Sequence, residues 1–476
     1  MSVFDEAMRI NGERRRRTSV IEVFDPFTGI CVGTVPRAAL ADVREAIEVA
    51  AGYRPTLSRY QRSEILRRAA SEVVARTKEI GELITRESGL SLKDSLYEAG
   101  RVRDVLMFGA NAALEDDGEI YSCDITPHGR ERRVYTQRNP LLGVIAAITP
   151  FNHPMNQVAH KVVPAVATNN RIVLKPSEKV PLSALLFADI LYEAGLPPPM
   201  FQVVTGEPAE IALELLTHPS VELITFTGGV TVGKQIAQVA GYRRMVLELG
   251  GNDPLIVMDD ADLEEAASLA ASGSYKNSGQ RCTAVKRILV HDSVADDFVN
   301  QLVSKTAKWS FGMPSDPAVE MGTVIDERAA MLFESRVHAA IAQGATLLVG
   351  NHREGALYSP TVLDHVRPDM ELVRVETFGP VSPVIRFGDL DEAIRITNGT
   401  PYGLSSSVCT NRLDVITRLV NELHVGTVNV REVPGFRLEL TPFGGIKDSG
   451  LGYKEGVIEA MKSFTTIKTY SLPWPA

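Results

Sequence analysis

Apolar residues recur at three- and four-residue spacing over the first quarter of the chain, then give way to short continuous apolar runs. From Ala41 to Ala51 and from Ser63 to Ser88, Arg and Glu fill the gaps between apolar positions. That is the pattern of helices with one face turned inward. Tyr97 to Ala113 predicts a further helix. Arg132 to Arg138 is charged and β-like, which suggests an exposed hairpin arm.

The period then changes. Val144 to Ile148 reads as a buried strand ended by Pro150, and Asn156 to Ala167 as a helix. Arg171 to Leu174 is a strand, Pro181 to Ala194 a helix, Phe201 to Val204 a strand, Ala209 to Thr217 a helix and Leu223 to Phe226 a strand. Strand, helix, strand at this spacing predicts a parallel sheet wound by helices. Such sheets bind ligands at the carboxyl ends of their strands. A second αβ run starts near Gly250. It has a helix at Leu263 to Lys276 and strands at Arg287 to Val290, Thr346 to Val349, Ser382 to Ile385 and Ser406 to Val408. The tail, Phe464 to Tyr470, alternates enough to be an edge strand able to pair with another subunit.

Composition narrows the class. The chain has 476 residues, 44% of them hydrophobic and 23% charged. That fits an ordinary globular protein of two or three domains. The net charge of -9 argues against nucleic acid or an anionic membrane as partner. The one basic run, Arg14 to Arg17, reads as a solvated N-terminal arm. The N-terminal stretch is acidic and unlike a secretory leader, and no apolar run reaches the length of a membrane span. Cys31, Cys123, Cys282 and Cys409 show no metal-binding spacing, so reduced thiols in the cytoplasm are expected and no metal.

Two stretches carry the chemistry. Leu247-Glu248-Leu249-Gly250-Gly251 and Gly279-Gln280-Arg281-Cys282 place a carboxylate and a thiol on glycine-flanked turns. A thiolate that attacks a carbonyl and a carboxylate that activates water together make covalent acyl chemistry. Asn152, after a strand end, can donate to a developing oxyanion. Phe226-Thr227-Gly228-Gly229-Val230-Thr231-Val232-Gly233 follows a strand and opens a helix, where a phosphate can rest on backbone amides. In Lys175-Pro176-Ser177-Glu178 a Lys and a Glu end another strand and can hold two ribose hydroxyls. A carboxylate there disfavours a 2′-phosphate, hence NAD over NADP.

In this order and spacing, these blocks resemble the NAD(P)-dependent aldehyde dehydrogenase superfamily over nearly the whole chain. The resemblance implies an α/β fold with a Rossmann-like parallel-sheet cofactor domain (1–116 and 140–250), an α/β catalytic domain (251–445) and a small β oligomerisation arm (117–139 and 463–476). It implies Cys282 as nucleophile, Glu248 as general base, and Asn152 with the Cys282 amide as oxyanion hole. Lys175, Ser177 and Glu178 would bind the adenine ribose end of NAD. Gly228 and Gly233 would shape the pyrophosphate turn, Glu376 would hold the nicotinamide ribose, and Phe378 would lie against that end. Gly229 stands where relatives often have Ser, and Phe151 where Trp is common. The presence of Glu248 favours hydrolysis over acyl transfer to coenzyme A. A homodimer or homotetramer is expected.

The substrate end looks basic. Arg281 precedes the nucleophile, His153 follows Asn152, and His160 lies two helical turns on. Arg103 is expected on the tunnel-wall helix, and Arg437, with Arg431, in the loop at the tunnel mouth. A cationic cluster in a cleft needs an anion, and bidentate guanidinium forks suit phosphonate or phosphate. With the stretch Val433 to Thr441, these residues resemble the branch of the family that oxidises phosphonoacetaldehyde to phosphonoacetate in 2-aminoethylphosphonate breakdown. Other small aldehydes stay open: glyceraldehyde-3-phosphate, lactaldehyde or glycolaldehyde, and succinic or malonic semialdehyde.

Overall fold

A computed structural model describes residues 3–115 and 118–474. The expected boundary at 116–117 and the chain ends at 1–2 and 475–476 lie outside the described residues.

Two seven-stranded sheets organise the described residues. Across the first, the strands run Arg244–Glu248, Val221–Thr227, Val144–Ile148, Ile172–Lys175, Phe201–Val203, Met8–Ile10 and Glu13–Arg15. The first five are mutually parallel, and an antiparallel N-terminal hairpin closes the edge. Alternation along each strand decides the packing. Ile145, Ala147, Ile172 and Leu174 enter one core layer, while Val144, Ala146 and Val173 enter the other. The second sheet runs Thr346–Val349, Thr361–Asp364, Val381–Phe387, Arg287–His291, Pro254–Val257, Ser405–Cys409 and Thr427–Val430, all parallel except at the first pair. It splits likewise, with Ile256 and Leu289 on one side and Leu255, Val257, Ile288 and Val290 on the other.

A third sheet joins Ile120–Ser122, Arg132–Pro140 and Thr465–Pro473. The tail strand was expected to offer its edge to another subunit. It is an edge strand: one side pairs with Arg132–Pro140 in an unbroken antiparallel ladder, and no described strand pairs with the other. Tyr135 stacks on Tyr470 at 5.3 Å, and the Arg133 guanidinium lies 4.3 Å from the Trp474 ring centre.

Two expectations are corrected. The single helix predicted over Ser63 to Ser88 is two, Arg59–Ala75 and Thr77–Ser88, interrupted at Arg76 (φ -104, ψ 15). Ser58 accepts from Gln61 N and starts the first, and left-handed Gly89 ends the second. Arg14 to Arg17 is no free arm. Arg14 pairs with Asp189, Arg15 with Glu45, Arg16 with Asp5 and Arg17 with buried Asp42. Among the described residues, no helix is long and apolar enough to cross a membrane.

Candidate active site

The site forms where strands of the first sheet end against loops of the second. Arg244–Glu248 delivers Glu248, Val144–Ile148 leads to Asn152, and Ile172–Lys175 ends on Lys175. Cys282 follows a distorted turn. Asn277 (φ 60), Ser278 (φ 54) and Gly279 (φ 70) are all left-handed, a conformation that costs about 1–3 kcal/mol at each non-glycine residue. Tertiary hydrogen bonds hold this turn. The Asn277 amide donates to Asp94 Oδ2 (2.8 Å), its side chain to Asn152 O (2.9 Å), and Ser278 Oγ to Gly322 O (3.2 Å). Ile325 N donates to Gln280 Oε1 at 2.8 Å. Asp94 and Asn277 were missed in the sequence. An Asn-Ser-Gly run before the thiol was the available signal, since those residues tolerate left-handed backbone.

Asn152 is buried and donates one N–H to Gln280 O at 2.9 Å. A primary amide has two such hydrogens. Its orientation is therefore fixed while a second donor stays available. Burial pushes the Cys282 thiol up to about 11, against the pull of Lys286 and Arg437. Glu248 is buried, and neither carboxylate oxygen has a protein hydrogen-bond partner. Burial first, and then Glu455, raises its proton affinity well above the carboxylate range. Glu455 itself accepts from Lys161 at 2.7 Å. Gly444 lies so close to Glu248 Oε1 that a Cβ there would strike the carboxylate. The amide is thus anchored to the loop that carries the thiol, and Arg437 acts on both the thiol and the unengaged carboxylate.

The residues expected to hold a cofactor lie at strand ends of the same sheet and in loops of the second. Lys175 donates to Glu178 Oε2 at 2.9 Å, and Ser177 is buried beside them. Burial alone would raise the Glu178 carboxyl; Lys175 outweighs it and holds it low. Gly233 packs on Leu249, where a Cβ would collide. Gly228 sits against the Phe226 ring and donates its N–H to Glu248 O at 3.0 Å. Gly229 starts the helix Val230–Ala240 with no side-chain cap, open space above it, and the buried Thr227 Oγ1 unpartnered nearby in sequence. Uncapped amides, an open cradle and a Lys–Glu pair fit a dinucleotide. Glu376 accepts from Gly251 N (3.1 Å) and Lys286 (2.8 Å), and Phe378 meets Phe151 edge-on at 5.9 Å.

At the substrate end the expected cations separate. Arg103 faces water, half exposed and paired with Asp104. Its near neighbour Arg101 is the one turned inward, because two positions on a helix lie about 200° apart. Arg101, His160 and Arg437 converge on one buried carboxylate, Glu439. His160 Nε2 is 2.6 Å from Glu439 Oε2, and Arg437 Nη2 is 3.4 Å from the same oxygen. Burial would raise Glu439; Arg437, His160 and Arg101 outweigh it and hold it far below the carboxylate range. Arg437 also lies 4.1 Å from the Phe443 ring centre. Arg281 donates to Gly273 O at 2.8 Å, while its buried Nε has no acceptor. His153 Nδ1 lies 3.4 Å from Glu98, and burial lowers the proton affinity of both His153 and His160. Arg431 points away and pairs with Glu265 on the surface. Cys31 and Cys123 are partly exposed, Cys409 is buried, and all three are free.

A wound parallel sheet with a glycine turn under a helix N-terminus, facing a second α/β sheet that carries a thiol, places the chain among the oxidoreductases. It belongs to the aldehyde dehydrogenase family, whose model matches residues 13–470. It is 38% identical over 457 residues to the 3-sulfolactaldehyde dehydrogenase of Priestia aryabhattai, covering 96% of this chain and 95% of that one. It is 39% identical over 411 residues to the sulfoacetaldehyde dehydrogenase of Neptuniibacter caesariensis, covering 86% and 89%. The crystal structure of NADP-dependent glyceraldehyde-3-phosphate dehydrogenase from Bacillus halodurans C-125 with NADP superposes with a TM-score of 0.95 at 37% identity, covering 99% and 100%.

Proposed function

We propose that the protein oxidises a short aldehyde carrying a tetrahedral anionic head, phosphonoacetaldehyde first among them, to the carboxylate with NAD. The observation that carries this reading is the set of partly buried cations around the thiol. Arg437 acts on both Cys282 and Glu248, and Arg281 and Arg101 both act on His153. Glu439 pairs with Arg101 and Arg437, Asp94 acts on Arg281 and Glu98 meets His153, while the Arg281 Nε keeps no acceptor. The similar proteins named for sulfonate aldehydes support a tetrahedral anion next to a two- or three-carbon chain.

In this reading the Cys282 thiolate adds to the aldehyde carbon, and the second Asn152 N–H and the Cys282 amide meet the oxyanion. The chemistry NAD supplies when bound is hydride acceptance. Lys175 and Glu178 hold one ribose and Glu376 the other. Glu248 then takes a proton from water as the water oxygen attacks the thioester carbon. The C–S bond breaks, and the thiolate is regenerated. A raised proton affinity suits this step, since it makes Glu248 a stronger base. The Glu178 carboxylate, kept ionised by Lys175, repels a 2′-phosphate. The third sheet, with exposed Ile467, Leu472 and Ile120, is the face we assign to a second copy of the chain.

The test is NADH formation with phosphonoacetaldehyde, sulfoacetaldehyde, glyceraldehyde-3-phosphate, succinic semialdehyde and lactaldehyde, each with NAD and NADP. We expect phosphonoacetaldehyde to lead the carboxylate and neutral aldehydes by about a hundredfold in kcat/KM, the worth of roughly 2.7 kcal/mol. Equal rates with lactaldehyde, or faster turnover with NADP, would overturn the substrate and cofactor readings respectively.

A further inference from the structure

Lys286 immediately precedes the strand Arg287–His291, and its side chain is 2% exposed. A buried ammonium needs an acceptor for each of its three hydrogens. This one has three: Gly251 O at 3.0 Å, Cys282 O at 2.6 Å and Glu376 Oε1 at 2.8 Å. It also lies 5.4 Å from the Phe378 ring centre. One cation thus ties together the turn after the base, the nucleophile, the carboxylate assigned to a ribose, and the ring beside it.

The charges acting on the Cys282 thiol are few. Lys286 is the leading one favouring a thiolate, followed by Arg437, with Asp253 and Glu376 opposing. Burial pushes Asp253 up to about 8, so it is largely protonated at neutral pH and opposes weakly there. Glu376 is the anion that matters. It touches Lys286 directly at 2.8 Å and opposes its effect at the thiol. Lys286 cannot serve both partners fully, and whatever draws Glu376 away leaves its charge to the sulfur.

We propose that Lys286 exchanges counter-ions. It pairs with Glu376 while the ribose site is free, and with the Cys282 thiolate once Glu376 turns to ribose hydroxyls. The nucleophile is thereby held as a thiol until the hydride acceptor is in place. Lys286 is a positioning residue in this scheme, acting through Cys282. The proposal rests on the assignment of Glu376 to the nicotinamide ribose.

The coupling can be read with no nucleotide present. The measurement is the rate of iodoacetamide alkylation of Cys282 at neutral pH, followed on its own peptide by mass spectrometry so that Cys31 and Cys123 do not interfere. Below the thiol pKa the rate follows the thiolate fraction, about tenfold per unit. Glu376→Gln should react several-fold faster than the parent. Lys286→Met should react about tenfold slower, Lys286→Arg should recover part of that loss, and Glu376→Gln should accelerate the reaction much less in the Lys286→Met background than in the parent. A Glu376→Gln rate at or below the parent's overturns the proposal, and that variant reads it even if Lys286→Met does not fold. An equal acceleration by Glu376→Gln in both backgrounds overturns it too, because Glu376 would then act without Lys286. NAD affinity, from quenching of protein fluorescence, separates the assumption from the proposal. An unchanged dissociation constant in Glu376→Gln removes the ribose role and the exchange with it, while the alkylation rates alone decide the Lys286–Glu376–Cys282 coupling.

Discussion

Replacing Glu439 by glutamine removes the only carboxylate that Arg101, Arg437 and His160 share as an ion-pair partner among the described residues, with almost no change of shape. At about 3 Å and an effective dielectric of 20, each guanidinium–carboxylate pair is worth roughly 5 kcal/mol of gross attraction. Desolvation of the carboxylate takes back several kcal/mol. Breaking a buried pair costs about 3–5 kcal/mol net, because the cations stay behind unpaired. Against a typical total of about 5–15 kcal/mol, Glu439→Gln should visibly lower the urea midpoint at pH 7. An anion that meets the same guanidinium groups should restore part of the loss. Methylphosphonate at about a hundred times its dissociation constant adds about 2.7 kcal/mol, and it should stabilise the variant more than the parent. The pH dependence has a definite sign. Glu439 is held below its unfolded value, so its contribution is whole above about pH 4.3 and fades as pH falls from there. The gap between parent and variant should therefore be full at pH 7 and narrow below about pH 4. An unchanged urea midpoint at pH 7, or equal stabilisation of both proteins by methylphosphonate, would show that the cluster is not charge-balanced by Glu439.

Three further outcomes follow from the site. Cys282→Ala should leave NAD binding intact and reduce oxidation below about one part in a thousand; residual steady-state turnover above that removes Cys282 as nucleophile. Glu248→Gln should slow thioester release and erase its rise with pH. In the parent, release should climb as pH passes the raised Glu248 value, because the base works deprotonated. A pre-steady-state NADH burst followed by a pH-independent slow phase is the expected signature in the variant, and an unaltered pH profile is the refuting one. Arg281→Leu should cost phosphonoacetaldehyde about 10–100-fold in kcat/KM, the worth of a charge-assisted hydrogen bond, and propionaldehyde far less. Equal losses for the two would mean that Arg281 braces the Cys282 loop through Gly273 instead.

What could be read from the sequence is instructive in its limits. The strands of the first sheet were legible because residues buried on both faces make continuous apolar runs, as in Val144–Ile148 and Ile172–Lys175. The N-terminal strands were not, since Phe4–Asp5 and Glu13–Arg15 are only two and three residues long, and Val20–Phe24, though mostly apolar, turns most of its residues to solvent. Cys282, Glu248 and Asn152 stood out because each lies on a turn rich in Gly or Pro. Arg103 was chosen over Arg101 because both lie on one helix and only its rotation about the axis separates them. Glu439, Glu98 and Asp94 were invisible for a different reason. A carboxylate that neutralises a buried cation looks like any surface acid until its partner is known, and the partners lie far away in sequence.

That distance bears on how the protein is made. Arg101 and His160 precede Glu439 by 338 and 279 residues, and Lys161 precedes Glu455 by 294. The acids arrive only as the last few dozen residues emerge. Contacts of such separation form late and slowly. Burying an unpaired cation costs several kcal/mol, so the final burial of Arg101 and Lys161 waits on Glu439 and Glu455. Glu439 and Glu455 thus tie the last part of the sequence to helices laid down hundreds of residues earlier, and each cation is matched only when both ends of the chain have met.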